Sequence, residues 1–342
     1  MNKPMVTVGV LLYKDEKYLA HSLSSLLDQD YENIEFVFRD QSPNGEVYHY
    51  LEDAHPDFFK KAKIVVGENL MHSGGHNAII RKMKGDYYFC VSNDMLYPRD
   101  FVSKMVEAMQ KAKAKVAGCK LMQWHYESML KGDLEASKTT KIDSLGIGIT
   151  KGHRFYDIGQ GLEEKEVETP KKLLGPSGAL AVYHKEALKA LGYKNRRGEI
   201  EYFDESLYYK NDVDLAYRLS WAGFSCLVVD SVKVYHDRQV GGKKGGLVTS
   251  FKVHQEKCDW AKEDSLKGHL ITIRKNYDNG FSFSVKLATS LNNMVRFMYT
   301  LLLATRMLHV YKEEHEMRKT IELKRKAISK KISPSAIEAL MS

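Results

Sequence analysis

The chain has 342 residues, 43% of them hydrophobic and 28% charged. These proportions exclude wholesale disorder, a collagen-like fibre and a disulfide-stapled miniprotein, and the length predicts two domains or one large domain with an appendage. The formal net charge is +8, and residues 286–332 hold 11 basic against 4 acidic side chains, so most of the surplus sits in that segment rather than around a nucleic-acid site.

Met5–Leu12 is a short, nearly continuous apolar run rich in valine, which predicts a buried parallel strand. Residues 16–28 predict a helix, with Leu19, Leu23, Leu26 and Leu27 on one face and Asp15 as its N-cap. Ile34–Arg39 predicts a second strand, ending in the turn chemistry of Asp40-Gln41-Ser42-Pro43-Asn44-Gly45. Val47–Ala54 predicts a helix, Ala62–Gly67 a third strand, and His76–Lys84 a helix entered through Ser73-Gly74-Gly75. A fourth strand over Asp86–Val91 ends at Ser92-Asn93-Asp94, and Asp100–Ala114 predicts another helix. This alternation describes an open, mostly parallel sheet with helices on both faces, in which ligands bind at the carboxyl ends of the strands. Tyr13, Asp40 and Asp94 each follow a predicted strand, so they should meet along one edge.

Residues 116–170 read as a strand, a polar insertion and short β pieces around Ile147–Ile158. Gly175-Pro176-Ser177-Gly178-Ala179 is a turn before an apolar strand, and His184–Leu191 predicts a short helix. Asp212–Ala222 predicts a helix, and Phe224–Val229 and Val232–Tyr235 predict two strands. The glycines and lysines of 241–246 mark a boundary or a mobile loop, with helices beyond Phe251. Cys90, Cys119, Cys226 and Cys258 are widely spaced and form no CxxC, which fits buried thiols in a reducing compartment. The first residues lack a signal peptide's basic start and apolar core, so export by that route is not expected.

In order and spacing, these blocks resemble the family 2 glycosyltransferases of the GT-A fold, most of all the bacterial rhamnosyltransferase-like members. The blocks are Val6–Leu12 with Tyr13; Asp40-Gln41-Ser42; Asn69 with Gly74, Gly75 and Asn77; Ser92-Asn93-Asp94; Gly175–Ala179; Phe203-Asp204-Glu205 with Asp212-Val213-Asp214; and Val234-Tyr235-His236. The resemblance covers roughly residues 5–240. It implies an α/β chain with a GT-A catalytic domain over 1–245, a nucleotide-binding half over 1–115, an acceptor half over 116–245, and a helical, basic extension over 246–342.

Moving a sugar from a nucleotide diphosphate requires that the base be held, the leaving diphosphate neutralised and the acceptor hydroxyl deprotonated. The resemblance implies that Asp40 contacts a pyrimidine, with Tyr13, Asn77, Arg81, Asn93, Ser177 and Gly178 also on the donor side. Asp94 and His236 would hold Mg or Mn against the diphosphate, hard oxygen ligands suiting either ion. The block Ser92-Asn93-Asp94 has one carboxylate where the family usually has two. Asp212 would be the general base of an inverting displacement, although the start of a helix should lower its pKa. Asp204 and Asn211 would shape the acceptor side, and Lys243 and Lys244 a lid. The donor implied is a dTDP-rhamnose-like or UDP-sugar, and the acceptor a saccharide or a lipid-linked group. A sugar nucleotidyltransferase would want a glycine-rich loop after the first strand, a dehydrogenase a GxGxxG, and neither is present. A catalytically degenerate scaffold stays open, because Ser92 and Asn211 stand where carboxylates are usual.

Residues 287–311 are rich in Leu, Met, Phe and Tyr, but Lys286, Arg296 and Arg306 break them into uncharged runs too short to span a bilayer. On a helical wheel Asn292, Asn293, Arg296 and Thr300 share one sector, and basic residues follow from Lys312 to Lys331. This predicts an interfacial helix at the inner face of a membrane, with a dimer face or internal packing as alternatives.

Overall fold

A computed structural model describes residues 3–14, 16–132, 134–195, 197–238 and 259–342. The first four strands, β1 (Val6–Leu12), β2 (Ile34–Asp40), β3 (Ala62–Val66) and β4 (Tyr87–Val91), are parallel. They continue into β5 (Met95–Leu96), β6 (Val116–Trp124) and β7 (Lys138–Ser144), the hairpin β8 (Ile147–Ile149) with β9 (Phe155–Asp157), then β10 (Leu180–His184), the hairpin β11 (Tyr193–Lys194) with β12 (Ile200–Glu201), and β13 (Cys226–His236). The main sheet runs β3-β2-β1-β4-β10-β6-β13-β5, with β7 on β6. β10 is antiparallel to β4 and β6, and so joins the first half of the chain to the second.

Both faces of the sheet are covered, which is why β1 is apolar but for Thr7 and buried along nearly its whole length. Val6, Val8, Val10 and Leu12 pack with Leu19, Leu23 and Leu26 of α1 (Glu16–Leu27) and with the later helix over Phe101–Ala112. Leu11 points the other way, toward Ile79 and Ile80. The helices α2 (Glu46–Ala54), α3 (Phe58–Lys61), α4 (Met71–Ile80), α5 (Phe101–Ala112), α6 (Tyr126–Met129), α7 (Leu134–Ser137), α8 (Lys185–Leu191) and α9 (Asn211–Trp221) complete the layers.

Two expectations are corrected. The helix expected from His76 begins at Met71 and ends at Ile80, so Gly74 and Gly75 lie inside it. These glycines serve close packing rather than a turn: a Cβ on Gly75 would sit 2.8 Å from both Leu11 and Gln41. The two strands expected over 224–235 are one strand, β13, which stays paired with β6 through a register shift between Val229 and Lys233. The N-cap expected at Asp15, Cys258, and the segment with Lys243 and Lys244 lie outside the described residues, as does the expected boundary at 245.

The helices α10 (Asp259–Asn276), α11 (Phe283–Leu303), α12 (Leu308–Glu316), α13 (Arg318–Lys326) and α14 (Pro334–Glu338) pack on the second half. Lys275 of α10 is fully buried between Asp204 and Asp214, its Nζ 2.8 Å from the Asp214 carboxylate. Arg218 pairs with Asp214 at 2.9 Å, and Lys324 of α13 with Asp204 at 2.5 Å. Burial alone would raise the Asp204 pKa, but Lys275 and Lys324 hold it well below the ordinary carboxylate range. The last residue is stitched to β8: Ser342 N–H donates to the Ile149 carbonyl at 2.9 Å. Among the described residues, no helix is long and apolar enough to cross a membrane.

Candidate active site

The carboxyl ends of the strands, the 175–179 turn and the start of α9 enclose a cavity of about 380 Å³. Asp94, Ser177, Gly178, Asn211, Asp212 and His236 line it. Asp94 follows β4, and His236 ends β13 one strand beyond β6, so sheet order brings them together across a long stretch of sequence. A larger cavity, about 420 Å³, lies apart from the strand ends, between the β11–β12 hairpin and α13.

His236 is buried between two carboxylates. Its Nδ1 is 2.8 Å from Asp143 Oδ2 and its Nε2 is 3.4 Å from Asp94 Oδ2. Burial lowers its pKa, but Asp94 and Asp143 outweigh it and raise the value to about 9. Asp143 is itself 2.7 Å from Arg238, which reaches Asp157 at 2.7 Å. Asp94 Oδ1 is buried and has no hydrogen-bond partner among the described residues. A carboxylate behind one imidazole nitrogen, with the other nitrogen beside a carboxylate whose second oxygen is unsatisfied, suits a divalent cation held by Asp94 and His236.

Asp212, in the first turn of α9, lines the same cavity. Its Oδ2 accepts from Gly178 N–H at 3.1 Å and its Oδ1 from Val213 N–H at 2.8 Å. A Cβ on Gly178 would lie 2.8 Å from Asp212 Cβ and Oδ2, so only glycine lets the turn approach so closely. The pKa of Asp212 is raised, chiefly by burial, with Asp157 adding to the effect, although Lys210 and both N–H donors oppose it. The lowering expected from the helix terminus is therefore overruled by desolvation. Asn211 donates to the Tyr208 carbonyl at 2.9 Å and lies 3.2 Å from His72 Nδ1.

The other expected residues are placed differently. Tyr13, 42% exposed, follows β1 at the same sheet edge, where Leu12 pairs with Asp40. Asp40 is completely buried: Oδ1 accepts from Ser42 N–H at 2.8 Å and Oγ at 2.5 Å, and Oδ2 from Tyr48 N–H at 2.8 Å. Its carboxylate therefore builds the loop after β2. Asn93 is half-buried beside Asp94.

Asn77 and Arg81 do not line the cavity. Asn77 is fully buried and clamps the 202–205 segment, accepting from Phe203 N–H at 2.9 Å and donating to its carbonyl at 2.8 Å. Arg81 donates to the Ile200 carbonyl at 3.1 Å. Asp204 is likewise apart, in the buried ion network under α10.

Sequence reasoning missed Asp143, Asp157 and His72. Asp143 and Asp157 sit on short strands in the least periodic stretch, and no motif marks them. His72 precedes the expected start of its helix. Burial lowers its pKa to about 4. With His76 and Cys90 it forms a cluster whose ligand atoms lie within 4.8 Å of one another. His76 Nδ1 is 2.6 Å from Tyr88 Oη, and Cys90 Sγ is 3.4 Å from His76 Nε2. Burial holds both imidazoles down and the Cys90 thiol up, so the cluster is a neutral packed network.

An uncharacterized glycosyltransferase of Haemophilus influenzae is 30% identical over 112 residues, 32% of this chain and 34% of that protein, so the match spans about a third of the relative's length. GalNAc-T7, solved with UDP, GalNAc and Mn2+, is 13% identical, with 88% of this chain and 57% of that one aligned at a TM-score of 0.54. A Pyrobaculum calidifontis mannosyltransferase solved with GDP-Man and Mn2+ aligns over 96% of this chain and 86% of its own, at 16% identity and a TM-score of 0.47. The family model for glycosyl transferase family 2 matches residues 7–192, more than half of the chain, and with the strand-end cleft and the sheet around it this establishes that the chain belongs to glycosyl transferase family 2.

Proposed function

We propose that the chain is an inverting glycosyltransferase that moves a sugar from a dTDP-rhamnose-like or UDP-sugar donor to a saccharide or lipid-linked acceptor, in polysaccharide, cell-wall or glycolipid assembly. The observation that carries this is that the Asp94–His236 pair and Asp212 line one cavity. The pair can take a cation and Asp212 can take a proton.

In the proposed step the acceptor oxygen attacks the anomeric carbon as its proton passes to Asp212. The bond from that carbon to the β-phosphate oxygen breaks, and the nucleoside diphosphate leaves. A divalent cation, Mn or Mg, bound by Asp94 and His236 would offset the charge growing on the diphosphate. Burial suits Asp212 to the task, because a carboxylate of raised pKa is a stronger base. Asp157 is a second carboxylate in the cleft, but its pairing with Arg238 makes it a poor nucleophile, which favours one displacement with inversion. The turn through Ser177 and Gly178 sets the position of Asp212, the Asp40 loop and Tyr13 front the base, and Asn93 flanks the diphosphate.

Tyr208 and Trp260, 37% and 49% exposed, stand together near the start of α9 with ring centroids 4.9 Å apart. They offer a saccharide acceptor an apolar face. Asn77, Arg81 and Asp204 act from behind, by fixing the 199–205 segment. Among the described residues Cys90, Cys119 and Cys226 are free thiols, which fits a cytoplasmic site of action.

The test is to incubate the protein with dTDP- and UDP-sugars and a panel of saccharide acceptors, then determine the anomeric configuration of the product by NMR. Inversion is expected. Retention would remove Asp212 as a base in a single displacement.

A further inference from the structure

The helix α11 is built inside out. Its polar sector faces the protein: Asn292 donates to the Gly152 carbonyl at 2.9 Å, Thr289 Oγ1 meets His153 Nδ1 at 2.8 Å, and Thr300 is buried. Its apolar sector faces outward. Leu287, Leu291, Met294, Val295, Met298 and Leu302 are 42–67% exposed. Their spacing of three and four residues makes one continuous stripe. At 21 residues the helix is about 30 Å long. Stripes of this size on soluble proteins are rimmed by polar groups and mark an interaction surface.

The surrounding charge selects the occupant. α11 contains no acidic residue, and its only charges are Lys286 and Arg296. Residues 286–332 hold 11 basic and 4 acidic side chains; Arg306, Lys324 and Lys330 pair with carboxylates of other segments, while Lys286, Lys312, Lys319 and Lys326 are exposed. An isologous dimer through this face would bring the basic surplus of two copies together. An anionic lipid surface would neutralise it and receive the apolar stripe at the same time.

We infer that α11 lies in the plane of an anionic bilayer, with its outward stripe in the acyl boundary and Lys286 with the exposed lysines of α12 and α13 among the headgroups. The same helix braces the site. His153, held by Thr289, also meets Tyr217 of α9 at 3.0 Å, and α9 begins with Asn211 and Asp212. Seating α11 would thus hold the acceptor side of the cleft at a fixed place near the membrane, where a lipid-linked acceptor is met. Lipid binding by α11 stands independently of the transferase chemistry, and its test involves no turnover.

The full chain is mixed with large unilamellar vesicles of phosphatidylcholine, alone or with phosphatidylglycerol, and sedimented. Binding is expected to the phosphatidylglycerol vesicles, weaker to phosphatidylcholine, and reduced by salt. The double variant Leu291→Glu, Met298→Glu changes only exposed positions; circular dichroism should show it folded, with the bound fraction lower by about tenfold. If the parent ignores phosphatidylglycerol vesicles, or the folded variant binds them as well as the parent, the inference fails. A soluble parent of twice the chain mass that the variant converts to single chains would assign the stripe to a second copy instead.

Discussion

At the residue scale, Asp212 carries opposing demands. Its folded-state pKa is raised, so the protein is favoured with Asp212 neutral, and this contribution to stability is lost as pH rises through that pKa. The proposed proton transfer needs the ionised form. Asp212→Asn should lower transfer by about 10²–10⁴-fold without lowering the melting temperature at neutral pH, measured by calorimetry on the same preparation. The acid limb of kcat/KM should lie above the range of an ordinary carboxylate, since burial is the leading cause of the shift. Gly178→Ala tests the same geometry from the other side. The added methyl meets Asp212 at 2.8 Å, so the carboxylate must move, and transfer should fall while donor binding persists. Asp143 acts through His236: Asp143→Asn should weaken Mn2+ affinity by about 10–100-fold in a calorimetric titration.

At the scale of elements, the buried ions decide where the last helices sit. Lys275 has two carboxylate neighbours and no exposed surface. Lys275→Met should cost about 3 kcal/mol in denaturant unfolding, at the lower end for a broken buried pair because Lys324 and Arg218 remain. Most strands and helices of residues 6–112 were legible because a two-sided parallel sheet writes apolar strands between amphipathic helices; the short α3 and β5 were not. α4 was misplaced because glycines that permit close packing look like glycines that make a turn. β13 was split because the Asp230-Ser231 bulge interrupts the apolar pattern without interrupting the pairing. Asp204 and Asn77 carry polar side chains in family-like positions, yet their partners arrive from distant segments, and no local pattern shows that a polar group is already satisfied. Asp143 was invisible for the same reason in reverse: its importance lies in contacts with His236 and Arg238.

At the scale of the molecule, β10 places the second half of the chain against the first, and the cleft opens where the two meet. Asp94 comes from the first half, and Asp212 and His236 from the second. The sequence showed these three as separate strand-end and helix-start residues, and the sheet order turns them into one site. The most direct measurement is nucleotide release from UDP-, dTDP- and GDP-sugars, with Mn, Mg or chelator, for the parent chain and for Asp94→Asn. Slow release from one pyrimidine donor is expected, abolished by chelator and lowered about 100-fold or more by Asp94→Asn. Release that is indifferent to chelator and to Asp94, or no release and no thermal shift with any of these nucleotides, would contradict the proposed function.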